Sequence, residues 1–250
     1  MKKIQIKRDN SVFSRFEFKY IVKKNTSKAI QKEVSHFMEQ DTFAGIQNKY
    51  LVRSLYFDND IFSNFHDKID GVKKRHKFRI RTYTHQENEK IPIFLEMKGR
   101  NNQRTFKNRT RIRSNDLKLF YNKEDCFDLN RRYLNNKLVQ QYIFDIYRKK
   151  ISPKVLIDYN RLPLLSKNGL YFRLTFDSDI RASISSDIFK NQYTWKTCIP
   201  GNDILEVKFD LTIPPWFHRI IQSYQLKRIS VSKFVLGLEA TNLAYDYEGI

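Results

Sequence analysis

Apolar and polar residues alternate with a period of two through most of the chain, the pattern of β-strands whose two faces differ chemically. Strands are expected near residues 13–22, 50–57, 75–84, 91–98, 105–113, 153–161, 171–179 and 203–210. Helical spacing is rarer. It is clearest over 27–39, where Ile30, Val34, Phe37 and Met38 fall on one face and Thr26 or Ser27 can cap the first turn. A second helix is expected over 137–150, with Leu138, Tyr142 and Ile146 on one side, and a third after Pro214 and Pro215, since proline suits a first helical turn. Segments 41–49, 85–90 and 122–136 are polar, rich in asparagine, and read as loops.

On the strands the charges stand in rows. In KFRIRTY, Lys77, Arg79, Arg81 and Tyr83 share one face while Phe78 and Ile80 share the other. The same arrangement pairs Glu96 with Lys98, aligns Lys107, Arg109, Arg111 and Arg113, sets Arg173 beside Thr175 and Asp177, and groups Glu206, Lys208 and Asp210. In FEFKY, Glu17 and Lys19 oppose Phe16, Phe18 and Tyr20. Such rows fit two readings. They are either the solvated faces of ordinary antiparallel strands, or the lining of a barrel. Like charges facing each other on neighbouring strands are destabilising, so a barrel with inward cations implies a bound polyanion and interspersed carboxylates.

Composition adds a partner of opposite sign. The 250 residues carry 47 Lys and Arg against 27 Asp and Glu, a formal charge of +20. Charge alone leaves nucleic acid, anionic membrane and polyphosphate open. Cations in strand rows, with no recognised reader helix or aromatic stacking platform, disfavour nucleic acid. Only 7 Gly and 6 Pro are spread along the chain with no linker-like run, so a single domain over 1–250 is expected. Cys126 and Cys198 form no Cys-x-x-Cys pair, which indicates neither a zinc site nor a disulfide framework and suits a reducing cytoplasm. The basic N-terminus lacks the apolar core of a secretory signal, and no run of 18 apolar residues spans a membrane. There is no Gly-rich phosphate loop, so a nucleotide would have to be held by side chains. The His residues 36, 66, 76, 85 and 218 show no metal spacing, His36 being placed in the first helix; Trp195 and Trp216 read as packing residues.

The ordered set RFEFKY (15–20), SLYFDN (54–59), KFRIRTY (77–83), FLEMKGR (94–100), DYNRLPL (158–164), YFRLTFD (171–177), ILEVKF (204–209) and SKFVLG (232–237) resembles the VTC-domain polyphosphate polymerases of the triphosphate tunnel metalloenzyme superfamily. Each motif alone is a short charged strand; eight in the family's order, from about residue 13 to 240, make the resemblance specific.

The resemblance implies an α+β fold: an antiparallel β-barrel tunnel of about eight strands with a charged interior and flanking helices. It further implies that ATP gives its γ-phosphoryl group to a growing polyphosphate chain inside that tunnel. Lys19, Arg79, Arg81, Lys98, Arg161 and Arg173 match the family's phosphate-binding positions, with Tyr159 beside them; Lys208, Ser232 and Lys233 match further tunnel positions, and Lys107 and Arg109 match less closely. Glu206 matches the carboxylate that holds a Mn²⁺ or Mg²⁺ ion, while Glu17 and Glu96 are either further metal ligands or charge-balancing partners. One departure bears on the reaction. Many hydrolytic tunnel enzymes begin with Glu-x-Glu-x-Lys, and here Arg15 stands at the first acidic position, which favours synthesis over hydrolysis. The alternatives are a tripolyphosphatase or nucleoside triphosphatase of the same fold, and a polyanion-binding domain without activity. The oligomeric state and any membrane-associated partner are left open.

Overall fold

The computed structural model describes residues 16–41, 48–102, 104–167 and 171–245. Among these, the strands are β1 (Phe16–Lys23), β2 (Met38–Gln40), β3 (Tyr50–Asp58), β4 (Lys74–Thr82), β5 (Ile93–Asn101), β6 (Arg104–Ile112), β7 (Ser152–Ser166), β8 (Phe172–Ile184), β9 (Lys196–Thr197) and β10 (Asn202–Phe209). The helices are α1 (Lys24–Val34), α2 (Ser63–Ile69), α3 (Cys126–Arg132), α4 (Lys137–Lys149), α5 (Pro215–Ser223) and α6 (Lys233–Ala240), with a 3₁₀ helix at Ser114–Phe120. Among the described residues, no helix is long and apolar enough to cross a membrane.

The long strands form one antiparallel sheet in the order β1-β10-β8-β7-β3-β4-β5-β6, with β2 beside β7 and β9 beside β8. Laid flat, β1 and β5 would stand roughly 29 Å apart, six strand spacings. Yet Lys98 Nζ of β5 lies 3.5 Å from Glu17 Oε1 of β1, so the sheet is rolled until its two halves face each other. The expected barrel is therefore an open roll: no ladder joins β1 to β6 among the described residues.

The alternation decides what each face meets. Leu55, Phe57, Phe78, Ile80 and Leu95 point outward and pack beneath Leu117, Phe120, Leu129 and Tyr142 of the 3₁₀ helix, α3 and α4. On the other half Tyr20, Val22, Leu174, Phe176 and Val207 meet Ile30 and Val34 of α1 and Phe217 and Ile220 of α5. Helices thus cover the outer apolar faces and leave the charged rows inside.

One irregularity changes the inner face midway. The β7–β8 register shifts between Asp158 and Asn160, and Asp179 takes a left-handed φ of 54°. A bulge of this kind flips the parity of the strand. Before it, Arg173, Thr175 and Asp177 face inward; after it, Ile180 and Ala182 do, and they cluster with Ile157 and with Phe234 and Leu238 of α6. Helix α6 is thereby docked inside the roll. Gly237 lets it approach: a Cβ there would lie 2.6 Å from Ile157 Cδ1. Gly237→Val is expected to cost about 1–3 kcal/mol through overpacking, measured by chemical denaturation, with the helix displaced from the sheet.

The outer face carries a buried ion pair. Arg53 meets Asp158 through Nε (2.9 Å) and Nη2 (2.8 Å), and its Nη1 donates to the carbonyls of His85 and Ile188. This pins two loops to β3 and β7, and Trp195 packs over the same place, under Arg181 at 4.4 Å.

Several expectations are corrected in detail. The first helix starts at Lys24, with no side-chain cap, and ends at Val34. Met38 belongs to β2, His36 lies beyond the helix, and Phe37 stacks on Trp216 at 4.5 Å instead of continuing the helix face. The loop 122–136 contains α3. Strands β7 and β8 run further than their alternation suggested, because the bulge breaks the period. Residues 13–15, including Arg15, lie outside the described residues.

Candidate functional site

Strand register stacks the inner side chains into rows. On one half, Glu17, Lys208 and Arg173 are direct partners, as are Lys19, Glu206 and Thr175, and then Ile204, Asp177 and Arg161. On the other half the rows are Ser54, Arg81, Phe94 and Arg111; Tyr56, Arg79, Glu96 and Arg109; and Lys77, Lys98 and Lys107. The structure thus brings together the sequence-derived candidates Lys19, Arg79, Arg81, Lys98, Lys107, Arg109, Arg161, Arg173, Lys208, Glu17, Glu96 and Glu206. Helix α6 adds Lys233, and Ser232 immediately before it receives a hydrogen bond from Lys77 Nζ at 3.4 Å.

Each carboxylate is surrounded by cations. Glu96 is fully buried and meets Arg79 at 2.6 Å, Lys107 at 2.6 Å and Arg81 at 3.7 Å. Asp177 takes both Arg161 Nε (2.6 Å) and Lys233 (2.5 Å). Glu206 meets Lys208 at 2.7 Å and Arg161 at 3.8 Å. Glu17 holds Lys19 at 3.0 Å and Lys98 at 3.5 Å. Burial and the neighbouring Glu206 push the Glu17 carboxyl up, but Lys98, Lys19 and Lys208 outweigh them and hold it down at about 2. The same contest, burial against Arg79, Arg81 and Lys107, leaves Glu96 well below the usual carboxylate range. These carboxylates are ionised at neutral pH.

The cations outnumber them. In the row Lys77, Lys98, Lys107, three ammonium-bearing strands face each other directly, where like charges repel. Burial first, then Lys98 and Arg79, push Lys77 well below its ordinary value. Burial and Lys19 bring Lys98 down to about 8, against the opposing pull of Glu17; burial brings Lys107 to about 8 although Glu96 opposes it. Two polar atoms on the facing half, Arg173 Nε and Thr175 Oγ1, are buried without a hydrogen-bond partner among the described residues. Buried polar groups are normally satisfied, and these donors turned to the same interior suit an acceptor-rich ligand.

A pH dependence follows. Lys98 and Lys107 have folded values near 8, below the ordinary 10.5. The unfolded chain then binds more protons than the folded one between pH 8 and about 10.5, so stability of the free protein contributed by these groups rises with pH across that window. A bound polyanion favours their charged forms. Affinity for tripolyphosphate is therefore expected to fall as pH rises from 7 to 9, with proton uptake on binding, read by calorimetry in buffers of differing ionisation heat.

Tyr159 is buried, its hydroxyl accepting from Arg81 at 3.3 Å, with Lys233 over its ring at 4.6 Å and Arg161 at 5.3 Å. It holds cations in place from beneath. Arg173 turns toward Asp41 at 3.1 Å. Sequence reasoning did not single out Tyr56, whose hydroxyl accepts from Arg79 at 2.7 Å, nor Lys77, although it stands in the KFRIRTY row two places before Arg79. Asp177 takes the place of a counter-ion to Arg161 and Lys233, whereas Asp179 lies with Lys24 at 2.8 Å.

For a divalent cation, no three His, Cys, Asp or Glu side chains converge among the described residues. Glu17 and Glu206 do converge on one lysine, Lys208, at 3.7 and 2.7 Å. Mg²⁺ and Mn²⁺ commonly need only one or two carboxylates when phosphate oxygens and water complete the shell. The donor set fits an ion shared with a bound phosphate. Glu96 is enclosed by three cations, Arg79, Arg81 and Lys107.

Comparison with known proteins gives a family match: the model of the VTC domain matches residues 14–242. Among solved structures, a Bacillus halodurans protein put forward as an adenylate cyclase is similar at 15% identity and a TM-score of 0.45, over 88% of this chain and 95% of that one. A Pyrococcus horikoshii protein is similar at 13% identity and a TM-score of 0.46, covering 90% and 98%. A Hippeastrum protein with a dominant triphosphatase activity is similar at 10% identity and a TM-score of 0.48, covering 90% and 97%. No curated protein matches the sequence.

Proposed function

Because the chain belongs to the VTC domain family, we propose that it is a metal-dependent polyphosphate polymerase, which moves the γ-phosphoryl group of ATP onto the end of a polyphosphate chain within the rolled sheet. The observation that carries this reading is the excess of inward cations over carboxylates, above all the Lys77, Lys98 and Lys107 row. Such an interior is repulsive when empty and is neutralised by a chain of phosphates.

Phosphoryl transfer asks the protein for position and charge neutralisation more than covalent work. Arg79, Arg81, Arg161 and Arg173 present forks that match two phosphate oxygens, and Lys19, Lys98, Lys208 and Lys233 present point charges. Lys107 and Arg109 extend the cradle toward the edge strand, and Ser232 is a further donor. Tyr159 fixes Arg81, Arg161 and Lys233 from below. In the transfer, the bond from the γ-phosphorus to the bridging oxygen breaks and leaves ADP, while a terminal phosphate oxygen of the acceptor forms the new bond. That oxygen is already ionised, so no general base is required. Glu206, with Glu17, would hold the Mn²⁺ or Mg²⁺ ion, which supplies neutralisation of the phosphate charge. Arg15 in place of a first carboxylate supports synthesis over hydrolysis. The activity is assigned to one domain; the two free cysteines suit the cytoplasm.

The test is to incubate purified protein with ATP and Mn²⁺ or Mg²⁺ and assay long-chain polyphosphate, ADP and orthophosphate together. ADP with polymer is expected. Orthophosphate without polymer would contradict the polymerase reading and leave a triphosphatase on the same cradle.

A further inference from the structure

Outside the roll, α4 has two apolar faces. Val139, Tyr142 and Ile146 are buried in the core over the sheet, whereas Phe144 and Tyr147 are 51% and 53% exposed. Their spacing of three puts both rings on one side of the helix. Beside it, α3 buries Cys126 and Leu129 and leaves Phe127 75% exposed. Lys123, one turn before Phe127, sets its ammonium 5.2 Å from the centre of the Tyr147 ring, which brings the two exposed helix faces together. At about 200 Å² for a whole aromatic side chain, the three rings leave roughly 350 Å² in water. A patch of that size is as large as a typical monomer shows and is often functional.

The rings sit between opposite charges. On the α3 side Glu124 and Asp128 are exposed beside Phe127 and, with Asp125, outnumber Arg131, which follows Phe127 by one turn. On the α4 side Arg148 lies over the Phe144 ring at 5.6 Å, and both it and Lys150, just past the helix, are exposed. Acidic groups beside the rings oppose docking on an anionic lipid surface, to which a chain of +20 would otherwise be drawn. A face that is acidic on one side of an apolar centre and basic on the other is complementary to itself under a two-fold rotation, the symmetry of an isologous dimer.

We propose that α3 and α4 form the contact between two copies of this chain. Phe127, Phe144 and Tyr147 of one copy pack against the same rings of the other, and Glu124 and Asp128 of each face the partner's Arg148. A standard interface buries about 800 Å² per partner, of which the rings supply nearly half, as an apolar centre within a polar rim. The face belongs to the helix layer outside the sheet, so pairing leaves the interior of both rolls untouched.

Sedimentation velocity on the purified protein tests this, in about 0.3 M salt, where repulsion between two chains of like charge is screened within 10 Å. The unaltered protein is expected to reach twice the monomer mass, with a dissociation constant on the order of micromolar. Phe144→Ser, at an exposed position where the fold loses little, should weaken pairing about 30-fold or more, the scale of a buried aromatic anchor. Leu211→Ser, at a leucine 87% exposed just past β10, should leave it unchanged. Arg148→Glu and Glu124→Lys should each weaken pairing alone, and an equimolar mixture of the two should recover it, because the mixed pair has opposite charges at both contacts. A protein that stays monomeric over the micromolar range overturns the proposal. So does a dimer indifferent to Phe144→Ser, or a mixture that does not recover. Phe144-dependent binding of phosphatidylserine vesicles by a protein that stays monomeric would overturn it as well, giving the face to a membrane.

Discussion

Replacing Glu96 with glutamine is expected to destabilise the free protein by about 3–5 kcal/mol, the usual cost of breaking a buried charge cluster by removing one partner. The carboxylate is fully buried and is the shared counter-ion of Arg79, Arg81 and Lys107. Without it three cations face each other with nothing between them. A polyanion supplies the missing charge, so tripolyphosphate at 100 times its dissociation constant should restore about 2.7 kcal/mol. Denaturant midpoints with and without tripolyphosphate measure both quantities. A variant as stable as the parent, or one that tripolyphosphate leaves unaltered, would show that Glu96 does not balance a phosphate cradle.

The second large effect is on turnover. Arg79→Ala is expected to lower ATP-dependent polymer formation by about 10²–10³-fold, the scale on which preorganised donors to a developing charge act. Stability should change less than in the Glu96 variant, since Glu96 keeps Lys107 and Arg81. Arg79→Lys restores the charge without the planar fork and should recover only part of the rate. Steady-state kinetics of both variants, with the denaturation midpoint as a control for folding, check this. An unaltered rate in Arg79→Ala would remove that residue from the site.

These two variants rest on features that were unequally legible in the sequence. Period-two alternation located the long strands and put Arg79 and Arg81 opposite Phe78 and Ile80, because a strand's two faces are a local property of the chain. It also said that the Glu96 row and the Lys77 row would share a face. It did not say which carboxylate would meet which cation. Glu96 has Arg79 and Arg109 beside it only through β4 and β6, and register between strands is set by turns and by the whole buried pattern. The bulge at Asp179 was hidden for the same reason. FRLTFDSDIRASI reads as two alternations out of phase, and only the fold shows that the second one turns Ile180 and Ala182 inward to receive α6.

The first helix ends earlier than its apolar spacing suggests for a different cause. Phe37 and Met38 continue the spacing of Ile30 and Val34, but Met38 pairs with Ser166 of β7, so a tertiary strand contact overrides a local period. Lys77 stands in its row with nothing local to set it apart. What marks it is its place opposite Lys98 and, beyond that, Lys107, a relation that exists only across three strands.

The claim beneath all of this is that the interior of the rolled sheet is a phosphate cradle. A crystal structure of the protein with tripolyphosphate tests it most directly. Phosphate groups are predicted within hydrogen-bond distance of Lys19, Lys98, Arg161 and Lys208, between the two facing halves of the sheet, with Arg173 Nε now partnered. Tripolyphosphate bound on the outer surface, with the interior side chains paired as they are here, would contradict it.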